Sequence, residues 1–541
     1  MKKLKYTRMN AFALALIGGL AVSACRGGSA ETSMNANGAD LSAQLRGAKA
    51  GSVVTLSTGD TLSLSESTIS YYNSRGNRAL WTDDDKLTET GRAVFSALAS
   101  SFQDGLDPSL YHYPQAEQIA RSLESDGDSA ASAGTAADLD IILTEGITRY
   151  ASDLARGALD PTASGLEWRI PREVAPEVGV LQALAGGAEA GEILAGMRPK
   201  GSHYQRYMTA LARYRDVREK GGWGTVPSDA TAKPGSTSPA VAQLRNRLIK
   251  GADATEAKLA QTGAARPDYF DADLQKALAH FQDRHAIEPD GALGSQTIVE
   301  LNHTVDERIS EIAMNMDRWR WLPHDLGPRF ILVNVAGFEM EVNQDGKVVE
   351  AMNVVVGQNN WKTPIFADTM EYMIVNPSWN VPESIMEDEI RPAMARNPNY
   401  LAENNMVLTE DGTAKQLPGD DNALGDFKFM FPNKDNIYLH DTPAKSLFSR
   451  TQRNFSHGCI RLERPADLAR FMMENAAKRP PSDVDKLLAS GEEQWVKFED
   501  KWPVYILYFT AFVNDDGSIR FHHDVYGRDE KLDDQAEGKI S

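Results

Sequence analysis

Cysteine is almost absent from this chain, because its 541 residues contain only Cys25 and Cys459. Basic charge is also scarce: 57 Lys and Arg stand against 76 Asp and Glu, so the formal net charge is −19. This balance argues against a nucleic-acid or anionic-lipid partner, whose binding needs a basic face. Beyond the first residues, no apolar run approaches the roughly 20 residues of a membrane-spanning helix. The chain is therefore expected to fold into ordinary domains, roughly two to four at this length.

The first residues have the three parts of an export signal. A basic start, an apolar stretch and a small-residue cleavage site follow one another, formed by Lys2, Lys3, Lys5, Arg8, Ala11–Leu20 and Ser23-Ala24. Residues 1–24 are therefore predicted to be a signal peptide. Cys25 follows the cleavage site directly and resembles the lipidated cysteine of a bacterial lipobox. An ordinary signal peptide with an idle cysteine is the alternative.

Lipidation of Cys25 would use one of the two thiols, so the mature chain is expected to have no internal disulfide. Residues 1–24 hold four basic and no acidic side chains, so their removal moves the net charge from −19 to −23. The predicted location is the periplasmic side of the cell envelope, with a membrane contact through the N-terminal lipid. Arg26 slightly favours the outer over the inner membrane.

Composition and apolar spacing divide the mature chain into segments. Residues 25–64 are rich in Gly, Ala, Ser and Asn and are predicted to be a lipidated flexible tether. Residues 65–220 carry apolar residues at helix spacing, which predicts a helical scaffold domain. Residues 531–541 are predicted to be a tail.

Three short helical patterns lie within residues 225–304. Apolar stripes at helix spacing are formed by Val241, Leu244, Leu248, then by Leu274, Ala277, Leu278, Phe281, and then by Ile298–Leu301. The pair Phe281-Gln282, followed by Asp290-Gly291-x-x-Gly294-x-x-Thr297, resembles the small three-helix peptidoglycan-binding module. A generic helical subdomain is the alternative.

From Arg329 the apolar period changes to that of strands, within a domain predicted over residues 305–530. Strands are predicted at Phe330–Val335, Phe338–Val342, Val348–Val356, Tyr372–Val375, Ile437–His440, Val504–Val513 and Ile519–His522. Asp345-Gly346 is expected to be a hairpin turn. A polar insertion at about residues 386–429 is predicted to be a mobile lid. The predicted fold class is therefore multidomain α+β, with a helical scaffold, a three-helix module and a mostly-β domain that carries the lid.

The second cysteine lies in Ser456-His457-Gly458-Cys459-Ile460-Arg461. A thiol attacks as its thiolate, so a reactive cysteine needs a base or a cationic setting. In an extended segment, alternation places His457, Cys459 and Arg461 on one face. Gly458 would let another backbone approach. These residues predict a nucleophile.

The same alternation in Ile437–His440 projects Tyr438 and His440 together, which supplies a second histidine. A zinc site built from His440, His457 and Cys459, with His522 or His523, is an alternative. The Cys pairs or HxxxH spacing typical of such sites are missing, and no metal or other cofactor is expected. A buried inert cysteine is the remaining alternative.

The wider pattern, His440-Asp441-Thr442 followed by Ser456-His457-Gly458-Cys459-Ile460-Arg461, resembles the YkuD-type L,D-transpeptidase catalytic domain. Three further segments support this resemblance: Gly357–Pro364, Asn376–Pro382 and Phe431–Lys434. They are similar to the large Gram-negative branch of that family, which joins a helical scaffold, a peptidoglycan-binding module and a lidded catalytic domain. The simple membrane anchor expected for that branch differs from the lipobox found here.

The resemblance implies that Cys459 attacks the amide between meso-diaminopimelate and D-Ala of a stem tetrapeptide. A thioester would remain, and the amine of another stem would take the acyl group to form a 3→3 cross-link. His440 would move the protons, with its ring oriented by a backbone carbonyl near Asp441. The backbone amides of Cys459 and its neighbours would stabilise the oxyanion.

Arg461 is expected either to bind a stem-peptide carboxylate or to form a structural ion pair. Ser456 and His457 are expected to shape the loop. Peptidoglycan stem peptides are the implied partners, with other cell-wall enzymes in addition. Two other functions remain open. One is an L,D-carboxypeptidase or other hydrolase that uses the same thioester, and the other is a non-catalytic peptidoglycan anchor.

Overall fold

The computed structural model describes residues 41–540, apart from 84–85, 126–129, 164, 175–176, 252–258 and 260–265. Cys25 and the predicted signal peptide lie outside the described residues, so lipidation stays a prediction. In the part of the chain that the structure describes, no helix has the length and apolar character needed to cross a membrane.

The first folded region consists of helices around one long central helix. Its elements are β1 (Val53–Thr55), β2 (Thr61–Ser63), α1 (Glu66–Ser74), β3 (Thr82–Asp83), β4 (Lys86–Leu87), α2 (Glu89–Ala99), α3 (Tyr113–Ser125), α4 (Ala130–Arg156), α5 (Glu177–Ala185), α6 (Ala190–Met197) and α7 (Ser202–Glu219). The buried carboxylate of Asp140 on α4 accepts hydrogen bonds from the backbone of Leu80, Trp81 and Thr82. This anchor holds the fully buried Trp81 ring against the central helix.

The predicted tether is wrong for residues 41–64, which are folded. Strands β1 and β2 pair as a hairpin, and Leu41, Leu62 and Leu64 are buried in the core of the helical region. Many small polar residues in this segment resemble a linker. Its leucines nevertheless recur two apart, as in Leu62 and Leu64, and that alternation is the signal of a buried strand.

Three helices form a second region: α8 (Pro239–Ile249), α9 (Ala272–Arg284) and α10 (Ser295–Asn302). The predicted apolar stripes meet in one small core. Gln282 explains the motif that follows it, because its amide nitrogen donates to Asp290 Oδ1 at 2.9 Å and to Thr297 Oγ1 at 3.1 Å. The turn is thereby fixed against the third helix.

The third region is a closed barrel. Its strands are β5 (Arg329–Asn334), β6 (Glu339–Gln344), β7 (Lys347–Gly357), β8 (Phe366–Val375), β12 (Phe427–Met430), β13 (Leu439–His440), β15 (Ile460–Leu462) and β16 (Gln494–Leu507). They pair in the order β7-β15-β13-β12-β8-β16-β5-β6, and β6 pairs again with β7. A closed ring leaves these strands without a free edge. The predicted multidomain α+β class is confirmed.

Further elements surround the barrel: α11 (Val305–Arg320) before it, β14 (Asn454–Ser456) on the edge of β7, and then α15 (Pro465–Asn475), α16 (Asp483–Ala489), β17 (Ala511–Val513), β18 (Ile519–Phe521) and α17 (Arg528–Ile540). Buried tyrosines of α7 belong to the barrel's core rather than to the scaffold's. The Tyr207 hydroxyl, for example, donates to the carbonyl of Ala511 at 2.5 Å. The scaffold predicted over residues 65–220 therefore shares its last helix with the barrel.

The predicted tail is also wrong, because most of residues 531–541 belong to helix α17. Leu532 is fully buried in a cluster with Trp321 and Leu166. The Gln535 amide accepts from and donates to the backbone of Asp160. The C-terminal helix thus fastens the barrel to the helical region.

The segment between β8 and β12 is a small folded unit, here called the insertion (residues 379–426). It contains β9 (Trp379–Asn380), α12 (Glu383–Ile385), a π-helical turn (Met386–Ile390), α13 (Arg391–Arg396), α14 (Tyr400–Glu403), β10 (Met406–Leu408) and β11 (Ala414–Gln416). The order β10-β11-β9 forms a sheet over a separate apolar core. The predicted lid boundary of 386–429 is wrong at its end, because residues 427–429 lie in barrel strand β12.

Candidate active site

Two parallel strands of the barrel bring the cysteine motif and the histidine motif together. Leu439 pairs with Ile460, and His440 pairs with Arg461. The amide of Ile460 donates to the carbonyl of Tyr438 at 3.1 Å, which sets Cys459 beside Tyr438. The rings of Tyr438 and His440 lie 5.5 Å apart, so their predicted proximity is confirmed.

Alternation predicted one extended strand for the cysteine segment, and this prediction is wrong. Strands β14 and β15 are separated by a bend at residues 457–459, where Gly458 has a φ of +108°. Ser456 Oγ accepts from the Gly458 amide at 3.1 Å and donates to the carbonyl of Cys459 at 2.5 Å. Ser456 therefore shapes the bend, as expected, and the positive φ explains the glycine.

The close backbone approach expected at Gly458 is instead provided by Gly357. A Cβ on Gly357 would lie 2.0 Å from the carbonyl oxygen of Trp361 and 3.0 Å from Cα of Gly458. The Thr363 hydroxyl donates to the Gly458 carbonyl at 2.8 Å. The bend is thus packed tightly from behind.

His457 has different partners from Cys459. Its ring packs 4.6 Å from that of Trp361, and its Nε2 lies 3.0 Å from Glu389 Oε1 in the insertion. The shared face predicted for His457, Cys459 and Arg461 is therefore wrong for the histidine. His457 joins the insertion to the cysteine loop.

The thiol of Cys459 is half-buried, and its Sγ lies 3.8 Å from the carbonyl oxygen of Asn436. Burial raises the pKa of Cys459, whereas hydrogen bonds from the backbone and hydroxyl of Tyr438, and the charges of Lys428 and Arg461, oppose this rise. The pKa remains above its ordinary value. The resting group near neutral pH is therefore a thiol.

His440 is buried and held by one short hydrogen bond. Its Nδ1 lies 2.5 Å from the carbonyl oxygen of Asp441, as the resemblance implied. A carbonyl only accepts, so Nδ1 carries the proton and Nε2 keeps a free lone pair. Burial and the nearby Arg461 lower the pKa of His440 to about 3, so the ring is neutral near pH 7.

The side chain of Asp441 fixes the chain after β13. Its Oδ1 accepts from the Thr442 amide at 2.6 Å and from Lys445 Nζ at 2.5 Å. Its Oδ2 accepts from the amide of Asp426 at 2.9 Å. These bonds hold the carbonyl of Asp441 in place to orient His440.

Lys428 and Trp379 were missed by the sequence analysis. Lys428 lies opposite His440 on β12, with Nζ 3.9 Å from the centre of the Tyr438 ring, and burial lowers its pKa. The Trp379 indole hydrogen-bonds the Tyr438 hydroxyl, which links the insertion to Cys459. The alternation of apolar and polar residues in Phe427-Lys428-Phe429 is a signal for this strand, but the segment lies within the predicted lid.

Arg461 is partly buried next to Cys459 and His440. Within the described ranges it forms no salt bridge, and its Nε has no hydrogen-bond partner. The structural ion pair considered for Arg461 is therefore not found there. The guanidinium is available to an anionic group of a ligand.

No group of three or more His, Cys, Asp or Glu side chains with the arrangement of a metal site occurs among the described residues. His522 and His523 directly follow β18, outside the barrel strands, and His522 lines a separate cleft. The donor set proposed for a zinc site is therefore not assembled in this part of the chain.

Two family models match the chain. The L,D-transpeptidase catalytic domain, YkuD, matches residues 328–485, and the Scaffold domain matches residues 66–211. A curated protein of Haemophilus influenzae, named as a presumptive L,D-transpeptidase, is 31% identical over 242 residues, covering 41% of this chain and 48% of that protein. The chain thus spans about half the length of this relative.

Solved L,D-transpeptidases are also similar in part. The enzyme from Mycobacterium smegmatis is 16% identical, with 33% of this chain and 58% of that chain covered and a TM-score of 0.18. The enzyme from Xylanimonas cellulosilytica is 15% identical, with 52% of this chain and 99% of that chain covered and a TM-score of 0.17. Because these scores are low, the assignment rests on the family models, whose catalytic match includes both His440 and Cys459. The chain therefore carries a YkuD-type L,D-transpeptidase catalytic domain at residues 328–485, preceded by a Scaffold domain at residues 66–211.

Proposed function

We propose that this protein forms 3→3 cross-links in peptidoglycan through a thioester on Cys459. The observation that carries the proposal is the parallel pairing of β13 with β15, which places Cys459 next to the strand of the neutral imidazole of His440. A neutral imidazole can accept a proton, whereas an imidazolium cannot. The donor substrate is a stem tetrapeptide, and the acceptor is the amine of a second stem.

In the first step, Sγ of Cys459 attacks the carbonyl carbon between meso-diaminopimelate and the terminal D-Ala. The thiol proton passes to Nε2 of His440 and then to the nitrogen of the departing D-Ala. A C–S bond replaces the C–N bond, and a thioester remains. In the second step the side-chain amine of another diaminopimelate attacks this thioester, and its proton returns through His440 to the sulfur.

The backbone near the cysteine supplies the oxyanion donor. The amides of Gly458 and Ile460 are already bonded to Ser456 Oγ and to the carbonyl of Tyr438. The resemblance had implied that neighbouring amides also contribute. We assign this role to the amide of Cys459 itself, because a positioned donor lowers the barrier by stabilising the developing charge.

Two cations and one hydroxyl surround the reacting sulfur. Lys428 and Arg461 favour the thiolate electrostatically, and Tyr438 donates hydrogen bonds to it. Because burial disfavours the thiolate, these groups allow transfer of the thiol proton during attack rather than before it. Arg461 is assigned to a stem-peptide carboxylate, since its side chain lacks a protein anion within the described residues.

The proposed setting is the periplasmic side of the envelope, with Cys25 lipidated and residues 1–24 removed. The order of charged, apolar and small residues before Cys25 supports this location. The three-helix region is proposed to hold peptidoglycan near the barrel, supported by the turn motif that Gln282 fixes.

Incubation of the full chain with purified disaccharide tetrapeptide tests the proposal. Mass spectrometry is expected to show release of D-Ala and a tetrapeptide–tripeptide dimer. Cys459→Ala and His440→Ala should each abolish both products, whereas His523→Ala, which changes an exposed histidine, should not. Release of D-Ala without a dimer would instead assign a hydrolase, and no release by the wild type would contradict the proposal.

A further inference from the structure

The catalytic histidine belongs to a row of side chains that crosses five strands of the barrel. Residues directly opposite each other on paired strands lie on the same face of a sheet. The row, here called the catalytic row, consists of Arg461 on β15, His440 on β13, Lys428 on β12, Ile374 on β8 and Trp495 on β16. The next residues along these strands point into the barrel core: Val496, Met373, Phe429, Leu439 and Ile460. The catalytic row therefore lies on the outer face and continues two strands beyond Lys428.

Trp495 ends the catalytic row, and its side chain is open to solvent. It is 62% exposed, and of the nine tryptophans, all within the described ranges, it alone is exposed. Core packing does not account for an exposed indole, and tryptophan is enriched among the residues that contribute most to binding. Trp495 is thus a candidate contact for a ligand.

The exposed indole is held in one orientation. Its Nε1 donates to Glu493 Oε1 at 3.1 Å, and its ring stacks on Tyr372 with the centroids 5.0 Å apart. Glu493 is fixed in turn, because its Oε2 accepts from the amide and the hydroxyl of Ser378 at 2.7 and 2.5 Å. A side chain that is already ordered loses little conformational entropy on binding. Trp495 therefore offers a preformed flat surface.

The distance along the catalytic row fits one stem peptide. Trp495 lies three strand spacings from His440, which is about 14 Å. In an acceptor stem, the diaminopimelate side chain spans about 5 Å, and the two residues beyond it span about 7 Å when extended. With the amine at the thioester, the first residue of the stem therefore reaches the broad indole ring.

The charges between His440 and Trp495 also fit an acceptor. Lys428 and Met430 are half-buried on β12, and Lys497, two residues after Trp495, is exposed on the same face. This basic surface, in a chain of net charge −19, attracts carboxylates. Diaminopimelate carries a free carboxylate beside its reacting amine. A cation at Lys428 also disfavours protonation of that amine, and only the neutral amine can attack.

We infer that Trp495 is a specificity-determining residue that binds the acceptor stem, an inference that rests on the proposed function. Arg461, at the opposite end of the catalytic row, is left to the donor stem. Contact with Trp495 holds the acceptor amine at the thioester. The new C–N bond replaces the C–S bond, and the amine proton returns to the sulfur through His440. Without this contact, water attacks instead and releases a tripeptide.

Trp495→Ala tests this role through the fate of the thioester. The full chain is incubated with disaccharide tetrapeptide, and mass spectrometry gives the ratio of cross-linked dimer to hydrolysed tripeptide. Trp495→Ala should lower this ratio tenfold or more, whereas Trp495→Phe, which keeps an aromatic ring, should stay within about threefold of the wild type. Phe102→Ala is the matched control, because Phe102 is a 42% exposed aromatic residue of the helical region that packs under Arg215. An unchanged ratio in Trp495→Ala, or an equal fall in Phe102→Ala, would overturn the inference.

A second measurement does not depend on turnover. The stem tripeptide, which ends at diaminopimelate and has no D-Ala to release, is titrated calorimetrically into the full chain. The wild type and Phe102→Ala should bind it equally, and Trp495→Ala at least tenfold more weakly. This pattern supports the inference even if D-Ala is never released, in which case the proposed function alone fails. Equal binding by Trp495→Ala, or no binding to the wild type, would overturn it. A loss confined to disaccharide-linked tripeptide would assign the ring to a sugar and overturn it as well.

Discussion

Replacing Tyr438 by Phe isolates one hydrogen bond at the reacting sulfur. The Tyr438 hydroxyl donates to Cys459, and the backbone amide of the same residue donates as well. The substitution keeps the ring that packs under Lys428 at 3.9 Å, and it keeps the backbone donor. Only the hydroxyl is lost, together with its bond to Trp379. The expected effect is a thiolate that is harder to form.

The magnitude follows from the charge on the acceptor. A hydrogen bond to a charged group contributes about 1.5–3 kcal/mol, and about 1.4 kcal/mol corresponds to one pKa unit. The pKa of Cys459, already raised by burial, is therefore expected to rise further by roughly one to two units. Acylation should slow by about ten- to a hundredfold, because the proton leaves the sulfur as attack proceeds.

The assay is the rate of iodoacetamide alkylation of Cys459, measured against pH by intact-protein mass spectrometry. The same spectra give the rate of acylation by tetrapeptide. Tyr372→Phe is the matched control, because Tyr372 stacks on the exposed Trp495 at 5.0 Å. If Tyr438→Phe and the control have the same alkylation profile and acylation rate, the hydroxyl does not act on the sulfur and the reasoning is wrong.

Four other outcomes are expected. A carbapenem should add its mass to the wild type and not to Cys459→Ala, and equal addition to both would exclude Cys459 as the nucleophile. Because the pKa of His440 is about 3, its neutral base form persists, so kcat/KM should stay level between about pH 7 and pH 5; an acid limb near the ordinary histidine pKa would contradict this. Leu532→Ala should lower the free energy of unfolding by about 2–5 kcal/mol in a denaturant titration, whereas no change would show that α17 is dispensable. Cys25→Ala should abolish fatty-acid labelling and recovery of the protein in the membrane fraction. Equal labelling of the wild type and the variant would exclude the lipoprotein assignment.

Local patterns predicted much of the fold. The Asp345-Gly346 hairpin is confirmed, with both residues at positive φ and with Gln344 paired to Lys347. Turn chemistry of this kind is encoded within a few residues, and so are the three apolar stripes of the small helical region. The cysteine motif was equally local, because its unusual residues are contiguous.

Contacts between distant segments could not be predicted in the same way. The alternation rule treated Ser456–Leu462 as straight and did not detect the positive φ of Gly458. Lys428 reaches the site only because β12 pairs with β13, and a four-residue strand next to a long insertion carries too little pattern to be recognised. The raised pKa of Cys459 likewise depends on burial by the whole barrel, which no local pattern contains.

The pairing of β5 with β16 has a consequence for the order in which the domain can assemble. These neighbours are parallel, yet about 160 residues separate the end of β5 from the start of β16. The ribosome therefore makes the strands of His440 and Cys459 before the strand that closes the ring. Contacts of such long sequence separation slow folding. A chain truncated before Gln494 would retain both residues and still lack a closed domain in which to hold them.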